Sequence, residues 1–320
     1  MSLTFRSFDD AASYAERVLP FLLAAEAENN VLLGILVRLV SGDHDYREPM
    51  LLGVVERIES GSSGDRLAAS TAADGSVPGA SAEDTGRQGA AVVGCIWRTP
   101  PYKLGMTAMP GDAAIVAAKA IAPLIPELDM AFGPTDTVRQ FAKAWSKLTR
   151  GGYSEGMRQG VYRLDEVNPL PNKVQGQMVE AVDADLQLII HWGIGFRRDS
   201  HVQAGDPEVL GRRLIREGAM YLWIDDGEPR SMAAAVAFTE NGARVGWVYT
   251  PREERGRGYA TGLVADLSQL LLDGGKRFCF LYADLANPTS TGIYERLGYR
   301  KVVEAMDVIF DVEADERSTT

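Results

Sequence analysis

The sequence predicts an α/β (α+β) fold: a mixed, mostly antiparallel central sheet flanked by helices, with the layout duplicated along the chain. Three observations predict it. Residues 183–310 change apolar period in the order two helices, three antiparallel strands, helix, strand, helix, strand. A Gly-rich loop follows the antiparallel strands and opens the third of these helices. Residues before 150 repeat a comparable rhythm without that loop.

In chain order, helices run to about Leu39, strand-like runs fall at 50–58 and 90–98, and 112–122 is an Ala-rich helix. Residues 128–132 read as a strand and 138–148 as a helix carrying Phe141 and Trp145. The segment at about 60–88 is rich in Gly, Ser, Ala and Asp, with Leu67 and Val77 as its bulky apolar residues. It cannot repay its ordering entropy, so a flexible insert in a hairpin is expected, with a substrate lid or partner-binding loop as the functional alternative. The turn-rich stretch Asn168-Pro169-Leu170-Pro171-Asn172 sets the expected domain boundary, giving 1–170 and 171–320.

Beyond it, 183–196 and 207–217 read as helices, the second started by Asp206-Pro207. Strands follow at 221–224, 230–238 and 243–250, with Asn241-Gly242 expected to turn the last hairpin because both residues accept positive φ. Ala260, Leu263, Val264, Leu267, Leu270 and Leu271 recur at helical spacing, and Gly274-Gly275 ends that helix. Residues 278–283 form a buried strand, 289–297 a short helix stopped by Gly298, and 299–310 the last strand.

Composition bounds the function. At 320 residues, 46% hydrophobic, the chain can bury two cores without disulfides or metals, and a mainly disordered chain is excluded. No apolar run reaches membrane-spanning length, and MSLTFRSFDD lacks a secretory signal's cationic lead and apolar core, so a cytoplasmic, non-membrane protein is expected. A net charge of −11 argues against a nucleic-acid surface. It also suits a cationic amine substrate, although solubility alone accounts for it. Cys95 and Cys279 sit in separate apolar runs and read as buried thiols. His44, His191 and His201 have no metal-ligand spacing, so no metal site is expected.

The chemistry concentrates in Tyr249-Thr250-Pro251-Arg252-Glu253-Glu254-Arg255-Gly256-Arg257-Gly258-Tyr259-Ala260. Pro251 breaks the strand, and a helix begins within the glycines. Gly256 and Gly258 have no Cβ, so backbone N–H groups can approach an anion at a helix N-terminus, where the dipole favours phosphate. Arg255 and Arg257 add charge, and the small Ala260 lets the first turn pack close. A Walker loop would need Lys-Ser/Thr where Tyr259-Ala260 stands, and a dinucleotide loop would follow the first strand of a parallel unit.

At these residues the sequence resembles the GNAT superfamily of N-acetyltransferases, whose acetyl-CoA loop Arg/Gln-x-x-Gly-x-Gly/Ala is matched by Arg255, Gly258 and Ala260. A second element matches in Asn287-Pro288-Thr289-Ser290 and Ile293-Tyr294-Glu295-Arg296-Leu297-Gly298-Tyr299, at the superfamily's separation. The resemblance covers about residues 175–310. It implies a GNAT-like fold, acetyl-CoA as cofactor with CoA as product, and transfer of an acetyl group to a primary amine by direct attack in a ternary complex. The pyrophosphate would lie on the amides from Arg255 through Gly256, Arg257, Gly258 and Tyr259 to Ala260, with Thr261 in the same helical turn. Pantetheine would run between the strands at 246–250 and 278–283, against backbone near Val248, Tyr249 and Thr250. The Val248 N–H would hold the oxyanion, and Asn287 and Ser290 would contact the cofactor arm, Asn287 also serving as an N-cap.

Tyr294 matches the superfamily's general acid, although helix spacing beside Ile293 and Leu297 also fits a core tyrosine. For the base, Asp284 at the end of its strand is the best candidate. Glu253 and Glu254 read as solvated, Glu240 as too far out, and His191 and His201 as packed or surface residues; a water chain is the remaining route. In the first half the corresponding loop is Thr107-Ala108-Met109-Pro110-Gly111-Asp112-Ala113, with one glycine, no arginine and an acid where an anion should bind. That half is expected to bind no CoA and to wall the substrate cleft. The acceptor is a small-molecule or peptide amine, the assembly a monomer or homodimer. The competing functions are a non-catalytic CoA-binding or interaction protein and, more remotely, a nucleotide-binding regulator.

Overall fold

The computed structural model describes residues 1–42, 44, 46–47, 49–58, 89–200 and 205–311. The insert at about 60–88 and His201 lie outside these residues. In chain order the described elements are β1 (Ser2–Phe8), α1 (Ala11–Leu23), α2 (Asn30–Ser41), β2 (Leu51–Ile58), β3 (Ala90–Arg98), β4 (Leu104–Met106), α3 (Gly111–Ile121), β5 (Met130–Pro134), α4 (Thr135–Thr149) and β6 (Tyr153–Leu164). They continue with β7 (Gln177–Glu180), α5 (Leu186–Ser200), α6 (Pro207–Arg216), β8 (Met220–Asp225), β9 (Glu228–Phe238), β10 (Gly242–Tyr249), α7 (Tyr259–Asp273), β11 (Phe278–Asp284), α8 (Pro288–Leu297) and β12 (Arg300–Phe310).

Short polar side chains start several helices by taking an orphan amide. Asp10 accepts from Ser13 N at 2.7 Å, Asp206 from Glu208 N at 2.8 Å with Pro207 in the first turn, and Asn287 from Ser290 N at 3.3 Å. Gly298, at φ 103°, stops α8 as expected.

One twelve-stranded sheet runs β1-β2-β3-β4-β5-β12-β6-β11-β10-β9-β8-β7. The order reads identically from both ends when β1–β6 are matched with β7–β12, so the second half repeats the layout of the first. Pairing is antiparallel except at β4–β5 and β10–β11. The sixth strand of each half is inserted into the other: β12 pairs with β5, and β6 pairs with β11. Met306, Val308 and Phe310 therefore complete the core under α3 and α4, while Tyr162 and Leu164 join the core under α7 and α8. Two further cores fill the opposite face, one under α1 and α2, the other under α5 and α6. The connection at 168–172 falls between β6 and β7, but the two halves interlock through their last strands rather than meeting as separate bodies.

The apolar pattern alone marks no strand at β1, β4, β6 or β7. The β6 omission matters most. Its Gly156 and Gly160 lower strand propensity, yet close approach explains both. An added Cβ would lie 3.1 Å from Asp307 Cβ at Gly156, and 2.6 Å from the Tyr162 ring at Gly160. The β9–β10 hairpin forms where expected for a different reason. Neither Asn241 nor Gly242 is among the positive-φ residues. Thr239 N donates to Gly242 O (3.0 Å), and Glu26 from the α1–α2 connection accepts from Asn241 N (2.7 Å), Asn241 Nδ2 (2.9 Å) and Gly242 N (3.2 Å). Gly242 is needed for packing, since a Cβ there would meet the Phe278 ring at 2.5 Å.

Candidate functional site

β10 and β11 are registered only over Gly242–Arg244 and Phe278–Phe280, and beyond that point they part. β10 carries a bulge at the same level. Gly246 pairs with Ala234 and Tyr249 with Met232, so Trp247 and Val248 stand opposite a single residue of β9. Trp247 takes φ 53°, a conformation a bulky residue adopts only when its surroundings enforce it. Buried Ser231 steadies the bulge: its hydroxyl donates to Tyr249 O at 2.9 Å and lies 2.9 Å from Thr250 Oγ1.

The parting of the strands opens a cleft of about 570 Å³. It gathers Val248, Tyr249, Thr250, Arg255, Gly256, Gly258, Tyr259, Ala260, Thr261, Asp284, Asn287, Ser290 and Tyr294, which the sequence had placed together. Arg257 is the correction. It is not among the lining residues; held between two left-handed glycines, its guanidinium turns outward, 56% exposed, and pairs with Glu254 at 3.0 Å.

At the start of α7, Gly256 and Gly258 have φ of 80° and 86°. Gly258 is the N-cap of α7, and no side chain accepts from the first-turn amides there. Uncapped amides of this kind are what an anion at a helix N-terminus needs. The arginines are engaged. Arg255 Nε donates to Thr250 O (2.9 Å), and its terminal nitrogen pairs with Asp199 Oδ2 (2.8 Å); Arg252 and Arg198 bind the other Asp199 oxygen at 3.1 and 2.9 Å. Glu254 is not solvated: its side chain is 14% exposed and is paired with Arg230 at 2.8 Å. Tyr259 lines the cleft, and its hydroxyl donates to Asp225 Oδ2 at 2.6 Å.

Hydrogen bonds from Arg198, then Arg255, then Arg252 hold the Asp199 carboxyl far below its ordinary value near 3.8. A depressed folded-state pKa stabilises above the unfolded pKa, and that contribution is lost as pH falls through the folded value. Asp199→Asn is therefore expected to lower Tm at neutral pH, by a margin that stays full above about pH 4 and shrinks on acidification. Thermal melts of both proteins from pH 7 down to pH 2.5 check this; a margin that does not change with pH would contradict it.

At the chemical end, Tyr294 is 8% exposed and packs edge-on against Tyr299 at 5.9 Å between centroids. Its hydroxyl has no hydrogen-bond partner among the described residues, and burial pushes its pKa up to about 12. Asp284 lines the cleft, but one oxygen accepts from Ala286 N at 2.9 Å, shaping the turn into α8. His191 is exposed on α5 and Glu240 is exposed at the hairpin; neither borders the cleft. Sequence reasoning missed Phe196, Asp199 and Ser200 at the end of α5, Gln159 on β6, and Tyr282 and Arg296.

The matching place in the first half is built differently. Asp112 Oδ1 accepts from Ala113 N at 2.9 Å in the first turn of α3. Gly133 of β5 lies so near β4 that a Cβ would come 2.9 Å from Met106 O. An internal carboxylate thus occupies the helix start, and β4 and β5 stay close as far as Met106 and Gly133.

Residues 221–308 match the family model described as FR47-like protein. No curated protein matches the sequence. Among solved structures, the chain is similar to a GCN5-related N-acetyltransferase from Sphaerobacter thermophilus (TM-score 0.57, 12% identity, 96% of this chain and 94% of that one). It is also similar to a tandem GNAT protein from the clavulanic acid biosynthesis pathway (TM-score 0.52, 14% identity, 97% and 98%). A Drosophila protein aligns over 98% of this chain and 100% of its own (TM-score 0.60, 11% identity). At such identities the likeness establishes the fold: the chain has a GNAT-like fold, its layout repeated in both halves.

Proposed function

We propose that this chain is an acetyl-CoA-dependent N-acetyltransferase with one working site, in its second half. The observation that carries the reading is the α7 start. Its first-turn amides have no side-chain cap, its glycines are left-handed, and it opens into the cleft where β10 and β11 part. This cradle fits a pyrophosphate, with the amides of residues 256–261 donating and Arg255 adding charge. Past Arg244 the edge of β10 toward β11 has no strand partner, and near Val248 it suits an extended pantetheine chain, which carries amide groups of its own.

Acetyl-CoA supplies an acyl group on a thioester whose sulfur departs as a thiolate. The protein's part is threefold. The Val248 N–H, released from β9 by the bulge, is the donor placed for the developing oxyanion. The Tyr294 hydroxyl is the protonated donor for the leaving sulfur. Proton removal from the amine falls to Asp284 or to water along the cleft, and Asp284 keeps a second oxygen for it beyond the bond to Ala286. The acceptor is a small-molecule or peptide amine. The CoA-binding protein without turnover uses the same cradle, so the test has two stages. Calorimetry with acetyl-CoA is expected to give one site per chain, and thiol release with a panel of primary amines is expected to give turnover. Binding without release on any amine supports the non-catalytic reading; absence of binding overturns both.

A further inference from the structure

The side of the sheet opposite α7 and α8 is built where the two halves meet. On β11, Cys279, Leu281 and Ala283 pack under α7 and α8, so Phe278, Phe280 and Tyr282 face the other way. There the first half supplies the wall. Ala27 packs on Phe278 and Phe280, Asn30 Nδ2 donates to Tyr282 Oη at 3.1 Å, and the Phe132 ring stands 6.5 Å from the Tyr282 ring. Tyr282 itself borders the cleft.

Arg244 of β10, registered opposite Phe280, lies on this same side with its guanidinium 5.5 Å from the Tyr282 ring centroid. It makes no hydrogen bond or ion pair among the described residues. Burial draws its pKa down, yet a guanidinium remains charged at neutral pH. The carboxylates brought to this side are engaged elsewhere. Glu26 accepts from Asn241 and Gly242, Asp307 pairs with Lys103, and Asp284 accepts from Ala286. Half-buried cations without a counter-ion are costly, and a tyrosine face offsets that cost only in part. A hydrophobic residue at this strand position would cost less, so the charge calls for a ligand.

We propose that Arg244 binds a carboxylate carried by the acceptor amine, making the substrate an amino acid or a peptide with a free acid group. The guanidinium fork matches one carboxylate, whereas a phosphate would call for further free donors, and Arg163 and Lys103 on this side are already paired with Asp165 and Asp307. Val248 lies four residue steps along β10 from Arg244, on the order of 13 Å before the arginine's own reach is subtracted. An amine and acid several bonds apart span that gap better than an α-amino acid does. The assignment rests on the acyltransferase reading for placing the amine at Val248 and Tyr294.

The probes are 4-aminobutyrate and 6-aminohexanoate, each against its primary amide. Calorimetry on the full chain, free and saturated with CoA, needs no turnover. Each acid is expected to bind at least about tenfold more tightly than its amide, the scale of one charged hydrogen bond. Arg244→Gln is expected to bring the ratio near one while CoA affinity holds, and Arg244→Lys to recover part of it. Equal binding of acid and amide by the wild type, binding of neither, or an unchanged ratio in Arg244→Gln overturns the assignment. Lost CoA binding by the wild type would instead count against the acyltransferase reading, and the acid-to-amide ratio of the free protein would still decide the role of Arg244.

Discussion

Replacing Gly258 with glutamate is expected to remove saturable CoA binding. Three effects act in one direction. Gly258 sits at φ 86° as the N-cap of α7, where any Cβ costs about 1–2 kcal/mol of backbone strain. A Cβ there stands 3.5 Å from Val174, ordinary contact, so the damage is local rather than a collapse of packing. The new carboxylate would also lie beside the uncapped amides and satisfy them internally, as Asp112 does at the start of α3. Two or three charged hydrogen bonds to phosphate, about 1.5–3 kcal/mol each, would be lost. That corresponds to a loss of affinity on the order of 100-fold to 10,000-fold or more. Gly258→Ala separates the effects: it carries the strain without the charge and is expected to weaken binding by about tenfold. Calorimetry on both variants, with circular dichroism for folding, checks the ordering. Alanine and glutamate variants with equal, near-normal affinity would show that phosphate does not use this helix start.

Most of the second half was legible in the sequence because its signals are local. Asp206-Pro207, Asn287 and Gly298 punctuate helices through their own side chain or φ, and the α7 repeat is a single apolar stripe. The glycine loop was readable for the same reason. What was not legible depends on distant partners. β6 reads poorly as a strand because Gly156 and Gly160 are chosen in large part by Asp307 and Lys301 of β12 and by Leu285, which approach them from elsewhere in the fold. Missing β6 meant missing the exchange of last strands and placing the seam as a simple boundary at 168–172. Glu254 looked solvated because nothing local reveals Arg230, 24 residues away and 2.8 Å distant. Asp199 was passed over because its arginine partners at 252 and 255 come from another element. Arg257 was over-read: two residues after Arg255 in a turn, its side chain leaves on the other side.

Tyr294→Phe is expected to lower kcat by roughly 100-fold while CoA affinity changes little. Phenylalanine is the informative replacement because the ring packs against Tyr299 and fills the core with Leu297. It keeps that packing and deletes only the hydroxyl, so a purely structural tyrosine would show no loss of turnover. The size of the effect depends on how well the hydroxyl is matched to the departing sulfur. An exposed thiol has a pKa of about 8.5, so a tyrosine held at about 12 would give up its proton only against a gradient of several units. Burial changes that comparison within this protein, where desolvation pushes the Cys95 and Cys279 thiols up to about 12 as well. Desolvation of a departing sulfur shifts it in the same direction, which narrows that gap. The hydroxyl stays protonated from neutral pH to well above 9, so kcat of the wild type is expected to show no alkaline fall through pH 10. Steady-state rates from pH 6 to 10 for both proteins, with CoA affinity measured in parallel, test the assignment. Unchanged kcat in the phenylalanine variant would remove Tyr294 from the chemistry, and an alkaline fall near pH 8–9 in the wild type that is absent from the variant would show that the hydroxyl titrates far below its buried value.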